Sequence, residues 1–291
     1  MLVTRTPFRI SFVGGGSDIS SYYTKQNGAV ISTSVDKYIY ISVHKKFDKG
    51  FRLAYSKIEE VSNISNIKHP IVKNVLKLLN VKDQLEISSI ADIPGHGTGL
   101  GSSSSYCVGL LKALTKMNDM KYSKEKLAEL ACKVEIEMCK EPIGKQDQYA
   151  AALGGYNKLI FKKDGCVSRN KIKFGNDFKN YFESHWIVIY TGITRSTKTI
   201  LKDQNNQIKN YEKFNTMNEM VSLVEPFEKA IHSESIEDLS KVLKYSWTLK
   251  KSLSKNISNN FIDDMYDLAL SNGALSGKIL GAGAGGFLFL L

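Results

Sequence analysis

The segment Pro94-Gly95-His96-Gly97-Thr98-Gly99-Leu100-Gly101-Ser102-Ser103-Ser104 joins a strand-like run, Leu85 to Ile90, to a helical pattern over residues 102–116. Glycines let the backbone turn with φ above zero and approach a ligand closely. A helix start presents unpaired N–H groups and the positive end of the helix dipole. Together these make an anion site suited to a triphosphate. The serine hydroxyls can cap the helix, bond phosphate or ligate Mg²⁺. Two familiar phosphate loops do not fit. A P-loop needs G-x-x-x-x-G-K-[ST], and no Lys follows any glycine of this segment. A dinucleotide fingerprint needs G-x-G-x-x-G, and after Gly95 and Gly97 the third position is Leu100.

Two further clusters are present. Gly14, Gly15 and Gly16 follow a strand-like stretch from Arg5 and lead into Ser17-Asp18. Gly281, Gly283, Gly285 and Gly286 follow Lys278-Ile279-Leu280. Arg5 and Arg9 bracket Pro7, which holds them in extended backbone, and strand residues four apart share a face. Arg9 and Asp18 are therefore expected to line a polar pocket, with Asp18 accepting hydrogen bonds from hydroxyls. The plainer alternative is a surface strand with solvated arginines and an Asx-type turn. The last cluster satisfies G-x-G-x-x-G through Gly281, Gly283 and Gly286. However, a strand-like Phe-Leu-Phe-Leu-Leu follows it and no ribose-binding acid comes after, so dinucleotide binding is rejected. A tight loop that brings one domain's backbone to a ligand on the other is the better reading.

Glu135, Glu137, Glu141 and Asp147 surround the helix end at Pro142. Residues 141–155 read as a loop that carries Asp147 between Gln146 and Gln148. Glu135 adjoins apolar Val134 and is expected to face inward, where a buried acid beside a phosphate site is a candidate Mg²⁺ ligand or base. The alternative for any one of these acids is a solvated helix charge.

The elements that must position these groups follow from periodicity. Ile39, Ile41 and Val43 alternate with Tyr40 and Ser42, which predicts strands with one buried face over residues 29–43. Helical patterns cover 70–79 and 102–116, and a third begins after Ser123 with Leu127, Leu130, Ala131, Val134 and Met138. Trp186 to Tyr190 is a short, wholly apolar strand candidate. Residues 202–272 are mostly helical and stop at Asn272-Gly273, and strand ends flank the last glycine cluster. Strands early and helices late imply an α+β architecture in two parts, 1–180 and 181–291.

Composition narrows the class. At 291 residues with 42% hydrophobic and 24% charged residues, the chain can build one large core or two. Forty Lys plus Arg against 29 Asp plus Glu give +11, which favours an anionic partner: nucleic acid, an anionic surface or a phosphorylated small molecule. No basic tail or aromatic-interleaved basic patch supports nucleic acid. Four scattered cysteines, Cys107, Cys132, Cys139 and Cys166, make neither a disulfide framework nor a zinc motif and read as reduced thiols in a cytoplasmic protein. No apolar leader precedes Arg5, and no run approaches the roughly 18 apolar residues of a membrane span.

In order along the chain, the Arg5–Asp18 stretch, the Pro94–Ser104 loop, the Gly144–Gly155 acid segment and the Lys278–Gly286 loop resemble the GHMP kinase superfamily, named for galactokinase, homoserine kinase, mevalonate kinase and phosphomevalonate kinase. Gly14-Gly15-Gly16-Ser17-Asp18, Gly144-Lys145-Gln146-Asp147-Gln148-Tyr149 and Tyr190-Thr191-Gly192-Ile193-Thr194-Arg195-Ser196 are similar to the branch that phosphorylates heptose 7-phosphate at the anomeric position. Galactokinases instead carry Glu-His where Gly15-Gly16 stands. The resemblance implies an N-terminal ribosomal-protein-like α/β domain, a C-terminal ferredoxin-like domain and an active site in the cleft between them. It implies ATP and Mg²⁺ as cofactors. The expected reaction turns D-glycero-D-manno-heptose 7-phosphate into the 1,7-bisphosphate, in the supply of heptose for capsule or lipopolysaccharide.

Carried over residue by residue, the resemblance makes Asp147 the catalytic carboxylate and Arg9 the cation beside it, favouring its charged form. Ser103 and Glu135 match the Mg²⁺ ligands; Glu135 stands seven residues before Pro142 as the pattern requires, and Glu137 is the substitute. Gly95, Gly97, Thr98, Gly99, Leu100, Gly101, Ser102, Ser103 and Ser104 would hold the triphosphate. Arg5, Gly15, Gly16, Ser17, Asp18, Lys145, Gln146, Gly283 and Gly285 would line the substrate site; a substrate phosphate needs cationic partners, for which Arg195 and Lys198 in the Thr191–Lys198 loop are expected, with Lys145 next. Family members usually continue through another helix and strand, so the expectation is that either the C-terminal domain is truncated at Leu291 or its last sheet lacks a strand. Three readings compete: a GHMP kinase for fucose or an unphosphorylated heptose, an inactive GHMP-fold sensor or scaffold, and a nucleic-acid binder. Partners are otherwise small molecules, with no nucleic acid or membrane, and the chain is a monomer or homodimer.

Overall fold

The structure, a computed structural model, describes residues 1–82, 84–94, 97–194 and 197–291. The chain lays down β1 (Leu2–Val13), α1 (Ser20–Tyr23), β2 (Gly28–Lys45), β3 (Phe51–Ala54), β4 (Ile58–Val61), α2 (Pro70–Leu78), β5 (Leu85–Ala91), α3 (Ser102–Met117) and α4 (Lys124–Cys132). There follow α5 (Gln146–Leu153), β6 (Asn157–Phe161), β7 (Val167–Lys171), α6 (Asn176–Ser184), β8 (Ile187–Tyr190) and α7 (Thr197–Gln207). The remainder is α8 (Tyr211–Ser222), α9 (Val224–His232), α10 (Ile236–Leu253), α11 (Asn260–Ser271), β9 (Gly277–Ile279) and β10 (Phe287–Leu290). Two compact units result. One comprises Met1–Arg9, Ser34–Gly95 and Gly101–Gly154; the other comprises Ile10–Thr33, His96–Leu100 and Gly155–Leu291.

In the first unit the later half of β2 pairs antiparallel with β5, placing Ile41 opposite Ser89 and Val43 opposite Ile87. Strand β3 lies parallel to β5 and antiparallel to β4. The alternation works as expected: Ile39, Ile41 and Val43 are buried. Helix α3 comes unusually close to the strands at Gly109. A Cβ there would lie 2.7 Å from the Thr6 hydroxyl and 3.3 Å from Ile41, and the Thr4 hydroxyl donates to the Gly109 carbonyl at 3.0 Å. Ser123 caps α4 by accepting from the Lys126 amide at 3.0 Å. After α4 the chain widens into a π-helical turn over Lys133–Met138, in which the Cys139 amide donates to the Val134 carbonyl at 2.8 Å.

In the second unit the start of β2 pairs with β6, and β6 with β7. Strand β10 is the centre of a three-stranded antiparallel sheet, β8-β10-β9. An aromatic core surrounds Phe12, whose ring meets Tyr156, Phe182, Trp186, Phe227 and Phe289 at centroid distances of 5.4 to 6.2 Å. A second core joins Met217, Met220, Trp247 and Ile262 to Ile279 and Leu288. Strand β8 is apolar yet exposed at all four residues, with Ile187 at 58%. It sits at a sheet edge, so its apolar run does not signify a buried central strand. Among the described residues, no helix is long and apolar enough to cross a membrane.

The closeness of α3 at Gly109 generates a test. Gly109→Val forces the helix off Thr6 and Ile41, and we expect a loss of roughly 1–3 kcal/mol, read as a fall of several degrees in melting temperature. An unchanged melt would show that the helix is not held at this distance.

Candidate active site

Arg9 and Asp147 form a two-pronged ion pair in the first unit. The Arg9 Nε donates to Asp147 Oδ1 at 2.8 Å and Nη2 donates to Oδ2 at 2.7 Å. Arg9 is buried, while the Asp147 side chain keeps 25% exposure. A planar fork on a carboxylate fixes direction as well as charge, so the exposed part of Asp147 is aimed rather than free to rotate. The expected loop over residues 141–155 is corrected here: Asp147 lies in the first turn of α5. Gln146-Asp147-Gln148-Tyr149-Ala150-Ala151-Ala152-Leu153 contains no Gly or Pro and is rich in helix formers. An acid in a first turn also complements the helix dipole. The start of α3 lies against this pair. Its N-cap, Gly101, has φ +75°, and a Cβ there would stand 3.3 Å from Asp147 Oδ2 and 3.4 Å from Arg9 Cγ.

Glu135 occupies the π-helical turn and has no solvent exposure. Ser103 donates to its Oε1 at 2.5 Å, while Ser104 and Gln148 Nε2 each donate to Oε2 at 2.7 Å. Burial pushes its pKa up to about 7; the three donors oppose that rise, and the nearby charge of Asp147 adds to it. Glu137, the substitute, is exposed. The donor set at Glu135 and Ser103 is all oxygen, which fits a hard divalent cation such as Mg²⁺. Among the described residues no group of three or more Asp, Glu, His or Cys side chains is placed to hold a metal ion, and Mg²⁺ does not need one, since it takes one or two carboxylates and completes its shell with water and phosphate oxygens.

Within the second unit the last glycine cluster meets Gly97 to Gly99 of the middle one. Lys278 is buried, and its Nζ donates at 2.8 Å to the carbonyl of Phe12, just before the Gly14–Gly16 turn. A Cβ on Gly99 would lie 2.3 Å from the Leu280 carbonyl, and one on Gly286 would lie 2.4 Å from the Thr98 carbonyl. The Phe287 amide donates to that same Thr98 carbonyl at 3.2 Å. Such backbone-on-backbone contact admits no side chain. Thr98 is fully buried, and its hydroxyl has no hydrogen-bond partner among the described residues.

The other predicted residues fall as follows. Asp18 is buried and accepts from the Gly16 amide at 3.1 Å. Ser17 is fully buried, its hydroxyl bonded to the Gly14 and Ala29 carbonyls at 2.8 and 3.1 Å, so it ties the turn to β2. Gly16 packs against Met217, and Gly15 is half-buried beside it. Arg5 is exposed, with its guanidinium 4.5 Å from the Tyr38 ring centre. Ser102 opens α3, preceded by buried Leu100 and by Gly97 with φ +68°. Lys145 and Gln146 begin α5, and Lys198 is exposed on α7. Gly283 and Gly285 press on the backbone of Ile257 and Ile193. Gly95 and Arg195 lie outside the described residues. Gln148 was not anticipated. Its signal was the one-residue offset from Asp147, which on a helix turns the second amide toward a different face.

Residues 67–155 match the GHMP kinases N terminal domain, and residues 227–291 match the GHMP kinases C terminal domain. The chain is 31% identical over 299 residues to D-glycero-alpha-D-manno-heptose 7-phosphate kinase of Campylobacter jejuni, covering 98% of this chain and 88% of that one. It is 24% identical to the L-fucokinase/L-fucose-1-P guanylyltransferase of Bacteroides fragilis, covering 99% of this chain and 34% of that one. The crystal structure of a D-glycero-D-manno-heptose 1-phosphate kinase from Bacteroides thetaiotaomicron superposes with a TM-score of 0.82 at 23% identity, over 100% of this chain and 88% of the other; it shows the fold. With both family domains matched in order and one relative aligned over nearly the whole chain, the protein belongs to the GHMP kinase family and is a sugar kinase, a phosphotransferase with an alcohol group as acceptor.

Proposed function

We propose that the protein transfers the γ-phosphate of ATP to the anomeric hydroxyl of D-glycero-D-manno-heptose 7-phosphate and releases the 1,7-bisphosphate. The observation that carries the chemistry is the Arg9–Asp147 fork; the likeness to the Campylobacter jejuni kinase carries the substrate. Asp147 accepts the proton of the attacking hydroxyl or orients it. Arg9 keeps that carboxylate charged and aimed. Ser103 and Glu135 hold Mg²⁺, which when bound supplies charge neutralisation at the transferred phosphoryl group. Gly97 to Ser104 bind the triphosphate through backbone amides and the start of α3. Asp18, with Arg5, Gly15, Gly16, Ser17, Gln146, Gly283 and Gly285, takes the sugar, and Arg195 and Lys198, with Lys145 next, take its phosphate. No covalent intermediate is required; positioning and charge do the work. A second reading, a kinase for fucose or unphosphorylated heptose, is supported by the likeness to the fucokinase.

Three outcomes follow from this reading. Asp147→Asn lowers kcat by about 100-fold or more, while ATP affinity by calorimetry stays within a few-fold; retained turnover would place the base elsewhere. Heptose 7-phosphate is turned over with a kcat/KM well above that of the dephosphorylated sugar, and equal values would remove the need for a phosphate pocket. The third concerns Glu135, whose pKa is raised from 4.5 to about 7 in the folded protein. Its protonated form is favoured by folding, so that contribution to stability is full below pH 4.5 and is lost as pH rises through 7. Nucleotide-free protein therefore loses stability relative to Glu135→Gln between about pH 4.5 and 7 and runs level above. A pH-independent difference in melting temperature would show that Glu135 does not titrate in this range.

A further inference from the structure

We propose that Lys250 is a positioning residue for nucleotide binding, acting on the phosphate loop through Gly281; the proposal rests on the reading of residues 97–104 as that loop. Lys250 lies in the last turn of α10 and is only 6% exposed. A buried ammonium is costly unless it is hydrogen-bonded. Its Nζ donates to the Gly281 carbonyl, and the negative end of the α10 dipole favours a cation at this position. Its neighbour Lys251 behaves as a surface residue, pairing with Asp263 at 3.2 Å with both side chains more than a third exposed.

Gly281 is one of two residues at which the last glycine cluster meets the phosphate loop, the other being Gly286 against Thr98. It has φ +69°, and a Cβ on it would stand 2.5 Å from the Gly99 Cα and 2.8 Å from the Gly99 carbonyl. Gly99 itself has φ +78°. The chain of contact is therefore short: the Lys250 ammonium, the Gly281 peptide, then the Gly99 backbone. The next carbonyl, that of Ala282, accepts from buried Gln204 of α7 at 3.3 Å. At the far end the Gly286 amide donates to the Ile193 carbonyl at 2.8 Å. With each end of the cluster held, rotation of the Gly281 peptide is what would shift Gly99, and Lys250 holds that peptide.

The test compares Lys250→Met, which keeps the apolar stem and removes the donor, with Lys250→Arg, which keeps a donor. Lys158→Met serves as a control. Lys158 is another largely buried lysine in the second unit, bonded instead to Glu225 and Glu228 at 2.9 and 2.6 Å. Lys250→Met is expected to raise the KM for ATP and the calorimetric Kd for ATP about tenfold, with the sugar KM unmoved and kcat changed far less. Lys250→Arg recovers most of the affinity, and Lys158→Met lowers the melting temperature without moving either ATP constant. Gln204→Leu shifts ATP affinity in the same direction but less, and it carries the test if Lys250→Met does not fold. A lowered melting temperature with unchanged ATP affinity in Lys250→Met, or in Gln204→Leu where that variant stands in, would reduce the lysine to a structural role and overturn the proposal. Wild-type protein that fails to bind ATP would instead overturn the phosphate-loop reading beneath it.

Discussion

A carboxylate with no access to water constrains the first unit more than any other group. Glu135 must be hydrogen-bonded where it sits, and the donors come from separate pieces of chain: Ser103 and Ser104 at the start of α3, and Gln148 on α5. The π-helical turn brings both Val134 and Glu135 into the interior, and such turns recur at functional sites. Helix α5 is then fixed on two sides. Gln148 reaches Glu135, and the residue before it, Asp147, reaches Arg9. Neighbouring helix residues point about 100° apart, so a single short helix can serve two acids of different character. One is buried and raised toward neutrality; the other is paired with a guanidinium and left partly open.

The second unit depends on the opposite kind of constraint, the absence of side chains. Gly99 against Leu280 and Gly281, and Gly286 against Thr98, are contacts in which even one Cβ would collide with backbone. Steric exclusion of this sort sets position without charge, while the buried lysines supply what glycine cannot. Lys278 and Lys250 each donate to a main-chain carbonyl beside a glycine cluster. The high lysine content that first suggests an anionic partner thus includes cations used inside the fold. Net charge alone would have overstated what lies on the surface.

Local signals were legible and tertiary ones were not. The helix start at Ser123, the helix from Pro70 and the alternation of Ile39, Ile41 and Val43 could be read because cap chemistry and periodicity are written in neighbouring residues. The groups at the candidate site could be named because glycine spacing and lone acids between amides are rare enough to notice. Helix α5 escaped because Pro142, Gly144, Gly154 and Gly155 bracket it with stop signals and it spans only eight residues. The exposure of β8 escaped because apolar composition does not say whether a strand is central or at an edge. Gln148 escaped because its partner lies thirteen residues away, across a π-helical turn that no periodicity announces.

On the proposed reading, a phosphate loop that lacks lysine has to neutralise its ligand by other means. Arg9 is already engaged with Asp147, so its charge is shared with that carboxylate and would not be wholly available to phosphate. The start of α3 contributes a partial positive charge of about half a unit, too little for a triphosphate. The oxygen cluster of Ser103 and Glu135 offers a further means: a divalent cation there would bring two charges and would also favour ionisation of a carboxylate that burial otherwise drives toward neutrality. On the proposed reading, the raised pKa of Glu135 belongs to the nucleotide-free protein: the carboxylate gives up its proton more readily as the metal arrives. Cation and nucleotide would then bind as a linked pair, with the glycine backbone setting where the phosphates lie and the acid setting whether their charge can be met.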